Sequence, residues 1–236
     1  MDYLVATLPT LAENLALDEA LLLRAEAEPN REILRLWEWP APAVVLGAAG
    51  VLAEEVDAAA CNADAVPIAR RSSGGGTVML GQGCLLFSVV LAFDRAAELR
   101  QIGSSYCWIL ERLCTAMGIT DLRPAGISDL AVGDRKVSGN AQQRKRHHLL
   151  HHGSLLYAFD GASLGRYLRQ PPRQPPYRRQ REHAEFVGNL PLGREKLVSG
   201  VRQAFGAERE IDAWPAETVR RLVEEKYSQS EWIRRR

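Results

Sequence analysis

Cysteine, lysine, net charge and long apolar runs are all scarce in this chain of 236 residues. Its four cysteines, Cys61, Cys84, Cys107 and Cys114, form no CxxC pair and fall in apolar segments. That pattern excludes a disulfide framework and the usual zinc spacings, and it fits reduced, buried thiols of a cytosolic protein. Thirty basic against 29 acidic residues leave a formal net charge of +1, so no global field calls for nucleic acid or a membrane surface. The N-terminus lacks a basic leader, and the apolar run 15–23 is interrupted by Asp18 and Glu19. It therefore reads as neither signal peptide nor membrane span, and the expected compartment is the cytoplasm.

What remains is an ordinary globular composition, 46% apolar and 25% charged, of a size that predicts one domain over 1–236. Leucines and alanines at helical spacing predict a helix over 11–28, and segments 32–39 and 42–47 read as a strand pair turned at the prolines between them. A short amphipathic helix is expected over 51–63. Segment 84–93, CLLFSVVLAF, is continuously apolar between glycines, as a central strand buried on both faces would be. The longest helix is expected over 96–117. Residues 128–159 read as β-hairpins with Gly133-Asp134 at the first turn. The Pro- and Arg-rich stretch 170–185 is expected to run extended over the surface, and closing helices over 194–205 and 216–232. Strands followed by strands, with helices before and between, predict an α+β (α/β) fold: a mixed, mostly antiparallel sheet covered on one side by helices.

Two segments stand out. Residues 70–78 read RRSSGGGTV, a strand end entering three glycines. Successive glycine N–H groups can converge on an anion, which a plain hairpin turn would not require. Residues 126–157 carry Lys136, one of only four lysines, the others being Lys145, Lys196 and Lys226. A lysine retained where arginine fills most basic positions suggests a compact ammonium aimed at one oxygen. If Val137 packs inward, strand alternation places Lys136 on the open face. Together these segments point to a site for a phosphate or an activated carboxylate.

RRSSGGG, SDL, DRKVSGNAQ and HHGSLLY, in this order and spacing, resemble the lipoate–protein ligase (biotin/lipoate A/B protein ligase) family over residues 14–190. The resemblance implies a catalytic domain of class II synthetase type, with a core over about 10–190 and a C-terminal helical segment over 191–236. It implies ATP-dependent activation of lipoate or octanoate to an acyl-adenylate, with Mg2+, and transfer to a lysine of a lipoyl-domain protein. By motif match Lys136 is catalytic; Arg70, Ser72, Gly74, Gly75, Gly76, His152 and Ser154 contact the acyl substrate. Gly76, Thr77, Asp129, Lys136, Ser138, Gly139, Asn140 and Ala141 contact the nucleotide, and Asp129 can hold the metal. Ser128 stands where the family has Asn, and Met79-Leu80-Gly81-Gln82 replaces an aromatic-His-Asp segment. The resemblance also allows a separate small protein in place of a C-terminal accessory domain.

His147, His148, His151 and His152 resemble a metal cluster, but no Cys, Asp or Glu joins them. Octanoyltransferases similar to this family place a nucleophilic cysteine near the lysine motif; here none follows Cys114. That favours an ATP-driven ligase over an ATP-independent octanoyl or lipoyl transferase, and the intact lysine and glycine motifs count against a non-catalytic lipoyl-protein-binding scaffold. For the arginines at 173, 178, 179 and 181, an acidic lipoyl domain is a better partner than nucleic acid.

Overall fold

A computed structural model describes residues 1–28 and 31–236. Its frame is a sheet of eight strands in the order β11-β1-β2-β6-β10-β9-β8-β7. These are β1 (Asp2–Val5), β2 (Ile33–Glu38), β6 (Cys84–Ala92), β7 (Leu122–Ala125), β8 (Asp129–Val132), β9 (Arg135–Arg144), β10 (His148–Leu156) and β11 (Arg209–Glu210). Only β1 pairs in parallel, with β2 and β11; every other ladder in this sheet is antiparallel. A second sheet has β3 (Ala43–Leu46) between β4 (Ile68–Arg70) and β5 (Val78–Leu80).

All nine residues of β6 are buried, as its unbroken apolar run requires of a strand covered on both faces. One face packs against α1 (Leu11–Ala27), the small sheet and the C-terminal helix α8 (Ala216–Leu222); the other packs against α4 (Ile102–Met117) and α7 (Arg194–Phe205). The mixed, mostly antiparallel α/β architecture is as expected, but helices cover both faces rather than one. Helix α1 starts on a reciprocal cap: Thr10 Oγ1 accepts from Glu13 N at 3.2 Å and Thr10 N donates to Glu13 Oε2 at 2.9 Å. At 17 residues it exceeds the 16 of α4, which is preceded by a separate 3-10 turn over Ala97–Arg100.

Segments 32–39 and 42–47 are both strands, yet they do not pair with each other. β2 joins the large sheet and β3 the small one, because the proline-rich link carries the chain across layers instead of reversing it within one. The helix expected over 51–63 is split into α2 (Leu52–Glu55) and α3 (Ala58–Ala63) by a bridge from Val56 to Leu168. The surface stretch 170–185 holds a 3-10 turn at Pro176–Arg178 and runs into α6 (His183–Phe186), following α5 (Leu164–Tyr167). The closing helix over 216–232 is α8, a π-helical turn at Val223–Tyr227 and α9 (Ser230–Ile233). That turn brings Lys226 Nζ and Tyr227 Oη onto the buried Glu19 Oε2 of α1, at 2.7 and 2.6 Å. No helix among the described residues is long and apolar enough to cross a membrane.

Candidate active site

Two cavities meet between the large sheet and the glycine loop. The first, about 130 Å³, has walls from Leu15, Trp37, Val45, Leu80, Leu86 and Phe87; the second, about 480 Å³, is roofed by the segment 164–187. They share Gly76, Thr77, Ser128, Asp129, Lys136, Gly139 and Ser154. An apolar slot thus opens into a polar chamber at one lysine.

Lys136 gets there through a β-bulge. Leu130 faces Ser138 and Ala131 faces Lys136, leaving Val137 as the extra residue of β9. Val137 is buried in the α4-side core, as anticipated, while the bulge puts Lys136 on the same face as Gly139, an odd spacing that simple alternation forbids. A Cβ on Gly139 would lie 2.8 Å from Lys136 Nζ, so only glycine lets the ammonium cross the strand. Nζ is 2.8 Å from Asp129 Oδ1, and Tyr177 Oη donates to Asp129 Oδ2 at 2.7 Å. Burial, then the Asp129 carboxylate, hold the Tyr177 phenol far above its ordinary range, so it remains a donor. Val187 bridges to Lys136, and Gly188 N donates to Lys136 O at 2.9 Å.

The glycine loop is held from beneath by Arg71. Its Nη2 donates to Gly74 O at 2.6 Å and Gly76 O at 2.8 Å, its Nη1 to Val45 O at 3.2 Å and its Nε to Ser73 Oγ at 3.0 Å. Burial pushes this guanidinium down to about 10, which leaves it charged at neutral pH. Gly75 has φ +85°, and Gly47 approaches it so closely that a Cβ there would lie 2.0 Å from Gly75 O. Thr77 N and Oγ1 donate to Glu55 Oε2 at 3.1 and 2.7 Å.

Two residues expected at the substrate do not reach it. Arg70 is fully buried behind the loop, donating to the carbonyls of Gly47, Gly50 and Ile233; alternation along the strand gives its neighbour Arg71 the cavity. Ser72 Oγ donates to Gln143 at 2.5 Å, outside both cavities, and the buried Ser73 also lines neither but holds Arg71 and His152. Gly74 contributes a carbonyl to Arg71 rather than cavity wall. Ser138 lies beneath the strand, its Oγ accepting from Asn140 Nδ2 at 3.1 Å. Asn140 reaches the first cavity, but its side chain is bonded to Ser128 O, Ser138 and His151. Gly75, Gly76, Thr77, Asp129, Lys136, Gly139, Ala141, His152 and Ser154 do line the cavities.

The histidines of β10 separate by strand alternation. His148 contacts Glu26 of α1 at 3.2 Å. His151 faces α4, stacked on Phe87 and touching Tyr106, with Gln142 and Asn140 on its two nitrogens. Burial, then the neighbouring His152, push it down to about 3, so it is neutral. His152 turns to the cavity, Nε2 2.6 Å from Ser73 Oγ and Nδ1 3.3 Å from Asp18 Oδ2. Asp18 also meets Arg35 at 2.7 Å. Burial alone would raise the Asp18 carboxyl, but Arg35 and His152 outweigh it and hold it low. No group of three or more metal-ligating side chains occurs among the described residues. No cysteine lines either cavity. Burial raises Cys61, Cys84 and Cys114, the latter two to about 12 and about 11. Sequence reasoning missed Arg71, Ser73, Asp18 and Tyr177, although Arg71 and Ser73 sit inside the motif it singled out.

The family model for the lipoyl protein ligase A/B catalytic domain matches residues 10–207. The chain belongs to this family. Among curated proteins it is 29% identical to octanoyltransferase LipM of Carboxydothermus hydrogenoformans, over 94% of each chain. It is 24% identical to octanoyltransferase LipM of Clostridioides difficile, over 91% of this chain and 82% of that one. Among solved structures, a lipoate-protein ligase A bound with ATP superposes with a TM-score of 0.84 at 25% identity, covering 99% of both chains. The bi-partite lipoate protein ligase of Thermoplasma acidophilum, solved in work on that ligase and its E2 lipoyl domain, gives 0.83 at 25% identity, covering 99% of this chain and 95% of that one. The fold of the family's catalytic domain is thus present, and in it the glycine loop and Lys136 lie at the junction of the two cavities.

Proposed function

We propose that this chain attaches an octanoyl or lipoyl group to a lysine of a lipoyl-domain protein, and that it first activates the free acid with ATP at Lys136. The observation that carries the activation step is a junction with a fixed ammonium and no thiol. The acyl chain occupies the apolar first cavity, with its carboxylate at Lys136. The second cavity takes the nucleotide: Arg169 and Arg173 line it beside Lys136, a cationic wall suited to polyphosphate. A magnesium ion that travels with a triphosphate needs only one or two protein carboxylates, and Asp129 is the carboxylate at the junction. A carboxylate oxygen attacks the α-phosphorus, pyrophosphate leaves, and Lys136 neutralises the charge gathering on the phosphoryl oxygens. The acceptor amine then attacks the acyl carbon and AMP departs. A lipoyl-domain acceptor is in keeping with the bi-partite ligase studied with its E2 lipoyl domain, and that two-part enzyme also gives precedent for a separate accessory protein.

A second reading is ATP-independent transfer from a preformed octanoyl thioester. Both curated relatives are named octanoyltransferases, and those names support this reading more directly than they support adenylation. Intact mass of a lipoyl domain after incubation separates the two. Adenylation requires ATP plus octanoate or lipoate for the acyl mass gain; a gain from octanoyl-acyl carrier protein without ATP assigns the chain to transfer.

A further inference from the structure

Side chains on the cavity face of the large sheet form two adjacent rows. Trp37, Leu86, Ser154, Gly139 and Asp129 face one another across β2, β6, β10, β9 and β8, and Lys136 lies over this row at Gly139. The next row on the same face is Arg35, Ser88, His152 and Ala141. His152 therefore stands two residues along β10 from Ser154, about 7 Å from the row over which Lys136 lies. Its ring lines the first cavity and retains 12% exposure.

Both ring nitrogens of His152 have a partner. Arg71 Nε donates to Ser73 Oγ at 3.0 Å, so the single Ser73 hydroxyl hydrogen is free to go to His152 Nε2 at 2.6 Å. The ring's own proton is then on Nδ1, directed to Asp18 Oδ2 at 3.3 Å. Nε2 then accepts from Ser73, and its lone pair reaches an incoming N–H once the Ser73 hydroxyl turns aside; the ionised carboxylate behind the ring is placed to stabilise an imidazolium. Asp18 is itself held by Arg35 Nη1 at 2.7 Å, a buried ion pair whose desolvation is costly unless its geometry is put to use. The carboxylates at the junction each accept from two donors, Asp129 from Lys136 and Tyr177, and Glu55 from the N–H and hydroxyl of Thr77.

We infer that His152 is the base that takes the proton from the acceptor lysine as its amine attacks the acyl carbon, with Asp18 as its positioning residue. This rests on acyl transfer to lysine, as proposed above, but not on how the acyl group is activated. The acceptor lysine gives its ammonium proton to solvent and enters as the free amine. As C–N forms, the second proton, which the amide nitrogen cannot keep, passes to Nε2, and the acyl C–O bond breaks to release AMP, which leaves as a phosphate anion and needs none. With a thioester donor the C–S bond breaks instead, and the thiolate takes the proton back from the imidazolium. The charged groups facing His152 are Asp18 of α1 with Arg35 behind it, Arg71 of the glycine loop, and the Lys136–Asp129 pair of the adjacent row. His151, beside it on β10, is neutral.

The test is single-turnover transfer to a lipoyl domain from chemically prepared octanoyl-AMP and, in parallel, from an octanoyl thioester, followed against pH. Native protein should show a loss of rate on the acid side that reports the imidazole. H152Q should transfer at least about a hundredfold more slowly, and that acid limb should disappear while octanoyl-AMP still binds; H152N replaces it if H152Q does not fold. A variant within threefold of native with the limb intact would overturn the inference. So would disappearance of the limb in H183Q and not in H152Q, because His183 also lines the second cavity. If the native protein transfers from the thioester but makes no acyl-AMP from ATP, the ATP-dependent reading fails while the result for His152 stands.

Discussion

Replacing Lys136 by alanine separates chemistry from folding by magnitude. Lys136 keeps 27% side-chain exposure and forms one ion pair, with Asp129. A pair in contact with solvent contributes on the order of 1 kcal/mol or less to stability. Asp129 retains Tyr177 as a donor, so its carboxylate is not left without a partner. Removing one preorganised charge partner from a developing oxyanion, by contrast, costs about 3–4 kcal/mol of barrier, or two to three orders of magnitude in rate. Lys136→Ala should therefore melt within a few degrees of native and lose acyl-AMP formation by roughly a hundredfold to a thousandfold. Rapid-quench measurement of acyl-AMP before acceptor is added isolates that step, and acceptor binding should change much less. Lys136→Arg should also be slow, because a planar fork does not fit the gap left by Gly139. A folded Lys136→Ala protein forming acyl-AMP at the native rate would refute the role given to this ammonium.

Three further outcomes are expected. Arg71→Met should raise the apparent KM for the acyl substrate at least about tenfold by releasing the carbonyls of Gly74 and Gly76, whereas Arg70→Met should mainly cost about 1–3 kcal/mol of stability; steady-state kinetics beside thermal melting distinguishes them, and the reverse pattern would contradict the placement of the two arginines. Alanine at all four cysteines should leave turnover within a few fold, with stability lost at the buried Cys61 and Cys84; a folded variant without turnover would restore covalent catalysis. His151 is depressed to about 3 when folded, so between that value and its ordinary 6.5 the unfolded chain binds a proton that the folded one refuses. Stability should fall with falling pH through this window, by about 1.4 kcal/mol per pH unit for one such group, and His151→Gln should flatten the dependence in denaturant titrations.

Much of the fold was legible because its signals are local. The apolar run of β6, the leucine and alanine repeat of α1 and the Gly133-Asp134 turn each specify an element without outside help. What was not legible depends on partners distant in sequence. β1 and β11 are short strands at one end of the sheet whose parallel pairing brings together residues about two hundred positions apart. The prolines between β2 and β3 mark a turn but do not say that the chain changes sheets there. In the site, Lys136 and the glycine loop were found by motif, and Val137 meets the condition set for it by packing inward. The Val137 bulge left no sequence signal, yet it decides that Lys136 and Gly139 share a face. Choosing Arg70 over Arg71 is a one-residue difference, and at the end of a strand one residue exchanges cavity for core. Asp18 read as a charge interrupting an apolar helix; only its approach to Arg35 and His152 shows that it belongs to the site.

The most direct test of activation at Lys136 is pyrophosphate release by the purified chain given ATP, Mg2+ and octanoate or lipoate, with no acceptor present. Adenylation at a thiol-free site predicts acid-dependent release of about one equivalent, with acyl-AMP retained on the protein and discharged when a lipoyl domain is added. No release with either acid, alongside acylation of the lipoyl domain from an octanoyl thioester without ATP, would contradict it.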